Sequence, residues 1–300
     1  MNPSESPLVS VIIPTYNHAD FLREALVSVL NQSEQSWEAL VVNNFSEDYT
    51  EAVVRSFSDA RIKLCNFSNH GVIAASRNEG IRLAQGAFVA FLDSDDRWFG
   101  DKLRISLQRL QDGFDLVCHA ERWFGEDIPS RTVRYGPSSR GEADALLYEG
   151  NALSTSAVVV RRECLTKYGV FSEDPKIVTA EDYELWLRLS RNKVRISFID
   201  ETLGEYRIHP GGQSRAIERH LAAEISVLTR CFTLSPVKGR TEQQRRTRRL
   251  AIAYYGAGRT LQKENSPGAA NKYFVKALRI YPWLPKLWAA FALNFARLLR

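Results

Sequence analysis

A chain of 300 residues with 44% apolar and 25% charged side chains has the composition of a globular protein with ample core, which excludes a disordered or fibrous chain. Cys65, Cys118, Cys164 and Cys231 lie far apart, so neither a disulfide framework nor metal-type cysteine spacing is present, and reduced thiols in the cytoplasm are expected. The net charge of +5 hides a division: residues 215–300 hold 17 Lys and Arg against 4 Glu, while residues 1–214 hold 23 basic and 31 acidic side chains. A domain boundary is expected between Ser214 and Arg215.

The apolar start, Leu8 to Ile13, is stopped by Pro14 and reads as a first strand rather than a signal peptide. Phe21, Leu22, Ala25, Leu26, Val29 and Leu30 then recur at helical spacing. Next come a strand from Glu38 to Val42, a helix near Thr50 to Phe57, and a strand from Arg61 to Cys65. A helix near Val72 to Ala84, closed by Gly86, leads to a strand running from Phe88 to Asp93. This alternation predicts a parallel sheet with right-handed crossovers. Ligands of such sheets bind beyond the carboxyl ends of the strands, so "PTYN", "NNFS" and "DSDD" are expected on one rim. No segment is long and clean enough to span a bilayer.

"FVAFLDSDDRWF" ends a strand with three carboxylates in four positions. Such acids repel one another unless a cation is present, and Asp93 with Asp95 would reach a hard divalent ion and a nucleotide ribose together. The plainer alternative is a solvated turn in which Asp96 caps the next helix. Further on, Asn151, Ser154 and Thr155 precede a buried strand, as loop hydrogen-bonding residues or as lining of an acceptor pocket. In "TAEDYELWLRLS" Tyr183, Trp186, Leu187 and Ser190 follow the helical period, and Thr179 with Asp182 has the form of a capping box. A carboxylate there is held ionised by the helix dipole, as a general base requires. "GEYRIHPGGQS" places Arg207 and His209 before a Gly/Pro turn.

The tail differs in kind. "AYYGAGRTLQKENSPGAANKYFVKALRIYP" resembles one helical hairpin of the tetratricopeptide type, with small residues where the helices approach and Pro282 ending the second helix; one such repeat cannot bury its own apolar face. The last segment carries Trp283, Trp288, Phe291, Phe295 and Leu298 with Lys286, Arg297 and Arg300. It reads either as a helix lying in a membrane interface, with anionic lipid attracted by "RTEQQRRTRRL", or as a packing helix closing a small bundle.

Together "VSVIIPTYNHADFLREALVSVLNQ", "NHGVIAASRNEGIRLAQGAFVAFLDSDD" and "TAEDYELWLRLS" resemble the family 2 inverting glycosyltransferases of the GT-A fold, over about Leu8 to Ser214. The resemblance implies an α/β chain: a mixed, mainly parallel sheet flanked by helices over residues 1–214, with a helical extension over 215–300. It implies transfer of one sugar from a nucleotide-diphosphate sugar to an acceptor hydroxyl, with inversion. Pro14, Tyr16, Asn17 and Asn44 would surround the nucleoside, Asp93 would face the ribose, and Arg77 and Arg207 would lie near the donor. Asp95 and His209 would hold Mg²⁺ or Mn²⁺, Asp182 would be the base, and Glu181 would bind the acceptor. One departure is that Asn43 and Asn44 stand where the family usually has paired Asp, so a bond to the base would lose its charge assistance.

No Q-x-x-R-W sequence is present, which favours a non-processive enzyme. The expected partners are the nucleotide-sugar donor, a glycan or lipid-linked acceptor of cell-surface polysaccharide or glycolipid synthesis, and an anionic membrane surface met by the tail. The expected location is cytoplasmic or peripheral at the inner face. The competing readings are a non-catalytic nucleotide-sugar-binding relative and a nucleic-acid-binding protein. The second is opposed by the acidic first half and the lack of a recognised module. A dinucleotide-dependent oxidoreductase would need a G-x-G-x-x-G after the first strand, which is missing.

Overall fold

Seven consecutive buried residues, Val9–Thr15, make the first strand, β1, an interior strand of a sheet that has nine strands among the described residues. The structure is a computed structural model describing residues 6–126, 128–209, 217–237 and 239–298, with side chains to residue 295. The boundary read from charge, between Ser214 and Arg215, lies outside the described residues, as do the side chains of Arg297, Leu298 and Arg300. The chain divides into two units. The first is Met1–Leu146, Asn151–Glu173 and Glu184–Pro210; the second is Leu147–Gly150, Asp174–Tyr183 and Gly211–Arg300.

After β1 come α1 (Ala19–Leu30), β2 (Trp37–Asn43), α2 (Thr50–Ser56), β3 (Ile62–Asn66), α3 (Ile73–Leu83) and β4 (Phe88–Phe91). These are the elements that the apolar periodicity predicts, and β1, β2, β3 and β4 pair in parallel as the crossovers require. Pro14 is tolerated in a central strand because the ladder to β4 runs only from Val9 to Ile12, so its missing N–H interrupts no bond there. Gly86 is needed where it stands, since a Cβ would meet the backbone N of Ser10 at 2.6 Å.

The following half is mixed: β5 (Arg97–Trp98), α4 (Lys102–Gln111), β6 (Leu116–Gly125), β7 (Ile128–Val133), α5 (Ala143–Glu149), β8 (Val158–Arg161), α6 (Arg162–Tyr168), α7 (Glu181–Arg191) and β9 (Ile196–Arg207). The sheet order is β3-β2-β1-β4-β8-β6-β9-β5, with β7 on β6. Strand β8 runs antiparallel to both β4 and β6, while β6 and β9 are parallel. Val9, Val11 and Ile13 pack with Leu22, Leu26 and Val29 of α1 and with Leu103, Leu107 and Leu110 of α4. Each such buried aliphatic side chain contributes about 1.5–3 kcal/mol.

The second unit contains α8 (Ile217–Thr233), α9 (Arg240–Lys263), α10 (Pro267–Ile280) and α11 (Pro285–Leu298). Ala251, Ala270 and Ala277 let the helices approach around Phe274. Helix α10 stops at Ile280, two residues before Pro282. Two arginines of the run "RTEQQRRTRRL" are turned inward. Arg249 is 2% exposed, paired with Glu224 and bonded to the Leu147 carbonyl at 3.2 Å; Arg246 is buried and donates to the carbonyls of Phe232 and Ser235. Both buried guanidinium groups are thereby matched by a carboxylate and by backbone carbonyls. Among the described residues no helix is long and apolar enough to cross a membrane.

Candidate active site

The loops after β1 and β2 are tied together by side chains of the two Asn-rich motifs. Asn17 adopts φ +52°, a left-handed conformation that Asn tolerates better than most residues. Its N–H donates to Ser46 Oγ (2.9 Å) and its Oδ1 accepts from the Glu47 N–H (2.8 Å). Asn43, fully buried, accepts from the Ser46 hydroxyl (2.6 Å) and donates to Asn66 Oδ1 (2.8 Å). Asn44 Oδ1 accepts from the Asn69 N–H at 3.0 Å, and its own N–H donates to the Thr15 carbonyl. Beside Pro14, Tyr16 is half exposed, and Phe45, which the motif reading did not single out, is exposed on the neighbouring loop.

Strand β4 ends at Phe91, so Asp93 to Asp96 form the turn beyond it rather than the strand's last residues. Asp93 Oδ1 meets Arg77 Nη2 at 2.7 Å. Arg77 is 4% exposed and lies against the Phe171 ring, so it is no surface arginine of an amphipathic helix. Asp95 Oδ2 lies 2.9 Å from His209 Nε2. Asp96 is 1% exposed, accepting from Ser156 Oγ (2.6 Å) and from the Arg207 N–H (2.8 Å). It therefore does not cap the next helix, which starts only at Lys102. Burial, with Asp95, Glu121 and Asp93 near, pushes its carboxyl well above the usual range.

The end of β9 closes this turn. Arg207 Nε donates to the Asp95 carbonyl (2.8 Å) and Nη2 to Glu24 Oε2 (2.6 Å), with the guanidinium between the rings of Phe21 and Phe124. Arg97 shares Glu24 at 2.9 Å and pairs with Glu205, which also takes Arg122. On the other side His18 Nδ1 lies 3.1 Å from Ser94 Oγ, and its ring meets those of Phe21 and His209. Glu24 and His18 sit in α1 and its approach, and only the return of β9 discloses their place.

A second buried carboxylate, Glu121 on β6, accepts from the hydroxyls of Tyr135 and Ser154. Burial pushes it up to about 7. Ser154 thereby serves loop hydrogen bonding, as does Asn151, whose Oδ1 accepts from the Leu153 N–H, and Thr155 is buried in a short 3-10 turn.

In the second unit, Thr179 has φ +83° and donates its N–H to Glu181 Oε2 at 2.7 Å. The carboxylate that closes on Thr179 is thus Glu181, not Asp182 as the capping-box spacing predicts, because the left-handed Thr179 lies outside the helix that opens at Glu181. Asp182 Oδ1 accepts from the Tyr183 N–H in the same first turn (2.7 Å).

Among the described residues no group of three or more His, Cys, Asp and Glu is placed to hold a metal ion. The Asp95–His209 pair nevertheless fits one. Neighbouring ligands of an octahedral ion with bonds of about 2.1 Å stand about 3 Å apart, and Mg²⁺ commonly takes only one or two protein ligands, the rest being substrate phosphates and water.

The mixed sheet flanked by helices is the GT-A fold of α/β proteins, shared with solved structures. The crystal structure of S. aureus TarS 1-349 in complex with UDP-GlcNAc matches with a TM-score of 0.66 at 21% identity, over 96% of this chain and 88% of that one. Mannosyltransferase PcManGT from Pyrobaculum calidifontis, in complex with GDP-Man and Mn²⁺, matches at 0.59 and 19%, over 99% and 86%. Residues 10–169 match the Glycosyl transferase family 2 domain. The putative teichuronic acid biosynthesis glycosyltransferase TuaG of Bacillus subtilis is 31% identical over 212 residues, 67% of this chain and 79% of TuaG. The UDP-Glc:alpha-D-GlcNAc-diphosphoundecaprenol beta-1,3-glucosyltransferase WfgD of Escherichia coli is 30% identical over 192 residues, 62% of this chain and 70% of WfgD. The chain belongs to glycosyl transferase family 2 and is a glycosyltransferase.

Proposed function

We propose that this glycosyltransferase moves one sugar, with inversion and without processivity, from a nucleotide-diphosphate sugar to an acceptor hydroxyl in cell-surface polysaccharide or glycolipid synthesis. The observation that carries the reading is the Asp93–Asp96 turn, with Arg77 on Asp93 and His209 on Asp95. The relatives support the substrate classes: one is named for teichuronic acid and another for a UDP-sugar donor and a diphosphoundecaprenol acceptor. An acceptor of that kind would keep the enzyme at the inner membrane face, with the basic extension on its anionic surface.

In this reading Pro14, Tyr16, Asn17 and Asn44 surround the nucleoside, and Asp93, aimed by Arg77, receives the ribose hydroxyls. Asp95 and His209 would hold Mg²⁺ or Mn²⁺, which supplies Lewis-acid neutralisation of the departing diphosphate. Arg207 holds the Asp95 carbonyl and the Asp96 carboxylate in place, and its guanidinium is paired with Glu24. Asp182 takes the acceptor proton, Glu181 steadies the acceptor, and the oxygen attacks the anomeric carbon from the face opposite the nucleotide.

A thermal-shift panel of UDP-, GDP-, dTDP- and CMP-sugars with and without Mn²⁺, on wild type and Asp95→Ala, tests this. A ligand that binds only the folded state raises the melting temperature. One nucleotide giving a Mn²⁺-dependent rise that Asp95→Ala abolishes is the expected result. No rise with any donor would overturn the donor assignment, and binding without turnover would favour the non-catalytic relative.

A further inference from the structure

The last helix of the second unit turns two different faces inward and outward. Leu284, Leu287, Ala290 and Asn294 are buried, and Asn294 Nδ2 is fixed by the Pro267 carbonyl and Asn271 Oδ1, both at 2.7 Å. Between them Trp283 (80%), Trp288 (54%), Leu293 (48%) and Phe295 (53%) stand in solvent. Lys286 is the one charged residue from Pro282 to Phe295. Trp288 is not loosely placed: its indole N–H donates to the Pro282 carbonyl at 2.8 Å, which satisfies its polar atom and leaves its ring exposed. Trp288 and Phe295, seven residues apart, share one flank of α11, Leu293 lies on the other flank, and Trp283 stands just before the helix; large apolar groups exposed along one short segment mark an interaction surface.

Charge selects the occupant. From Asn265 to Arg300 the chain holds six Lys and Arg and no acidic residue, and Lys272, Lys276, Arg279 and Lys286 are exposed. A second copy docking through this face would bring like charge against like charge, which disfavours self-association. An anionic lipid surface offers the opposite charge together with an apolar layer beneath it. Helix α11 has 14 residues, about 21 Å, too short to cross a hydrocarbon core of about 30 Å, so it would lie in the plane of the interface.

We infer that α11 and the Trp283 before it dock on anionic membrane, with Trp283, Trp288 and Phe295 in the headgroup–acyl boundary, Leu293 at its edge, and Lys272, Lys276, Arg279 and Lys286 available to the phosphates. This gives the membrane partner in the proposed function its structural element and rests on that reading only for its purpose, not for its physical basis.

The test is co-sedimentation of the full chain with phosphatidylcholine vesicles with and without phosphatidylglycerol. The variants are Trp283→Ser/Phe295→Ser and Lys276→Glu/Arg279→Glu, with circular dichroism and melting temperature as controls for folding. The wild type should pellet with the anionic vesicles only and be released by salt, and each double variant should partition at least about tenfold less. A wild type that stays in the supernatant, or a Trp283→Ser/Phe295→Ser variant that binds like wild type, would overturn the inference. So would concentration-dependent dimerisation that this variant abolishes. Transfer to a short soluble acceptor should be unchanged in the variants; its absence alongside intact vesicle binding would strike the proposed donor and acceptor and leave the docking surface standing.

Discussion

Glu121 is a carboxylate 1% exposed on a strand, and its hydroxyl partners Tyr135 and Ser154 do not offset the cost of removing it from water, so it rises to about 7. A folded-state value above the ordinary glutamate value of 4.5 means that the native protein binds the proton more tightly than the unfolded chain. Stability from this group is therefore full below 4.5 and is lost as pH rises to about 7. Glu121→Gln keeps the shape and removes the titration. Its stability relative to wild type should climb by about 2–3 kcal/mol between pH 4.5 and pH 8 in urea melts; a constant difference across that range would show that Glu121 stays ionised in the fold. None of this was legible beforehand, because the residues that bury Glu121 come from chain segments remote in sequence. The family resemblance singled out the acidic turn, Arg77 and His209, and the structure pairs Arg77 with Asp93 and His209 with Asp95, whereas Glu24 and His18 acquire meaning only when β9 returns. Lys102, which no motif marks, is fully buried with Nζ 3.5 Å from the Trp98 ring centroid, and burial holds its ammonium well below the usual range.

Among the elements, the first four strands and three helices were readable because one strand and one helix alternate, each with its own period. The mixed half was not. An apolar run such as "AVVV" announces burial but not direction, and β8 enters antiparallel between β4 and β6 through pairings that only the whole sheet determines. The helical hairpin was readable from its small residues, and these carry a quantitative consequence. Gly258 on α9 faces Phe274 on α10 so closely that an added Cβ would stand 2.5 Å from the ring. Alanine is the better helix former by about 1 kcal/mol, so propensity alone predicts that Gly258→Ala stabilises. Overpacking against a fully buried ring costs about 1–3 kcal/mol, which is the larger effect. The variant should melt earlier, by a calorimetric shift that Phe274→Leu partly reverses; a rise in melting temperature would mean that the two helices separate at little cost.

For the molecule as a whole, the charge division was visible in composition, but the second unit also takes Leu147–Gly150 and Asp174–Tyr183 from mid-chain, which no compositional signal marks. Donor binding should distinguish the units. The amide N–H groups of Asn17, Ser46, Asp93, Asp96 and Arg207 are all engaged in the turns that gather at the candidate donor site of the first unit. A donor at about 100 times its dissociation constant stabilises the bound state by about 2.7 kcal/mol, so amides that exchange by opening of this site should slow about a hundredfold. Hydrogen exchange followed by mass spectrometry should show that protection in peptides over residues 14–18, 43–46, 93–97 and 205–209, with α9, α10 and α11 unchanged. Equal protection of the helices would mean that their amides exchange through the same global opening as the sheet, and the donor would then be felt by the chain as one cooperative body rather than by a local site.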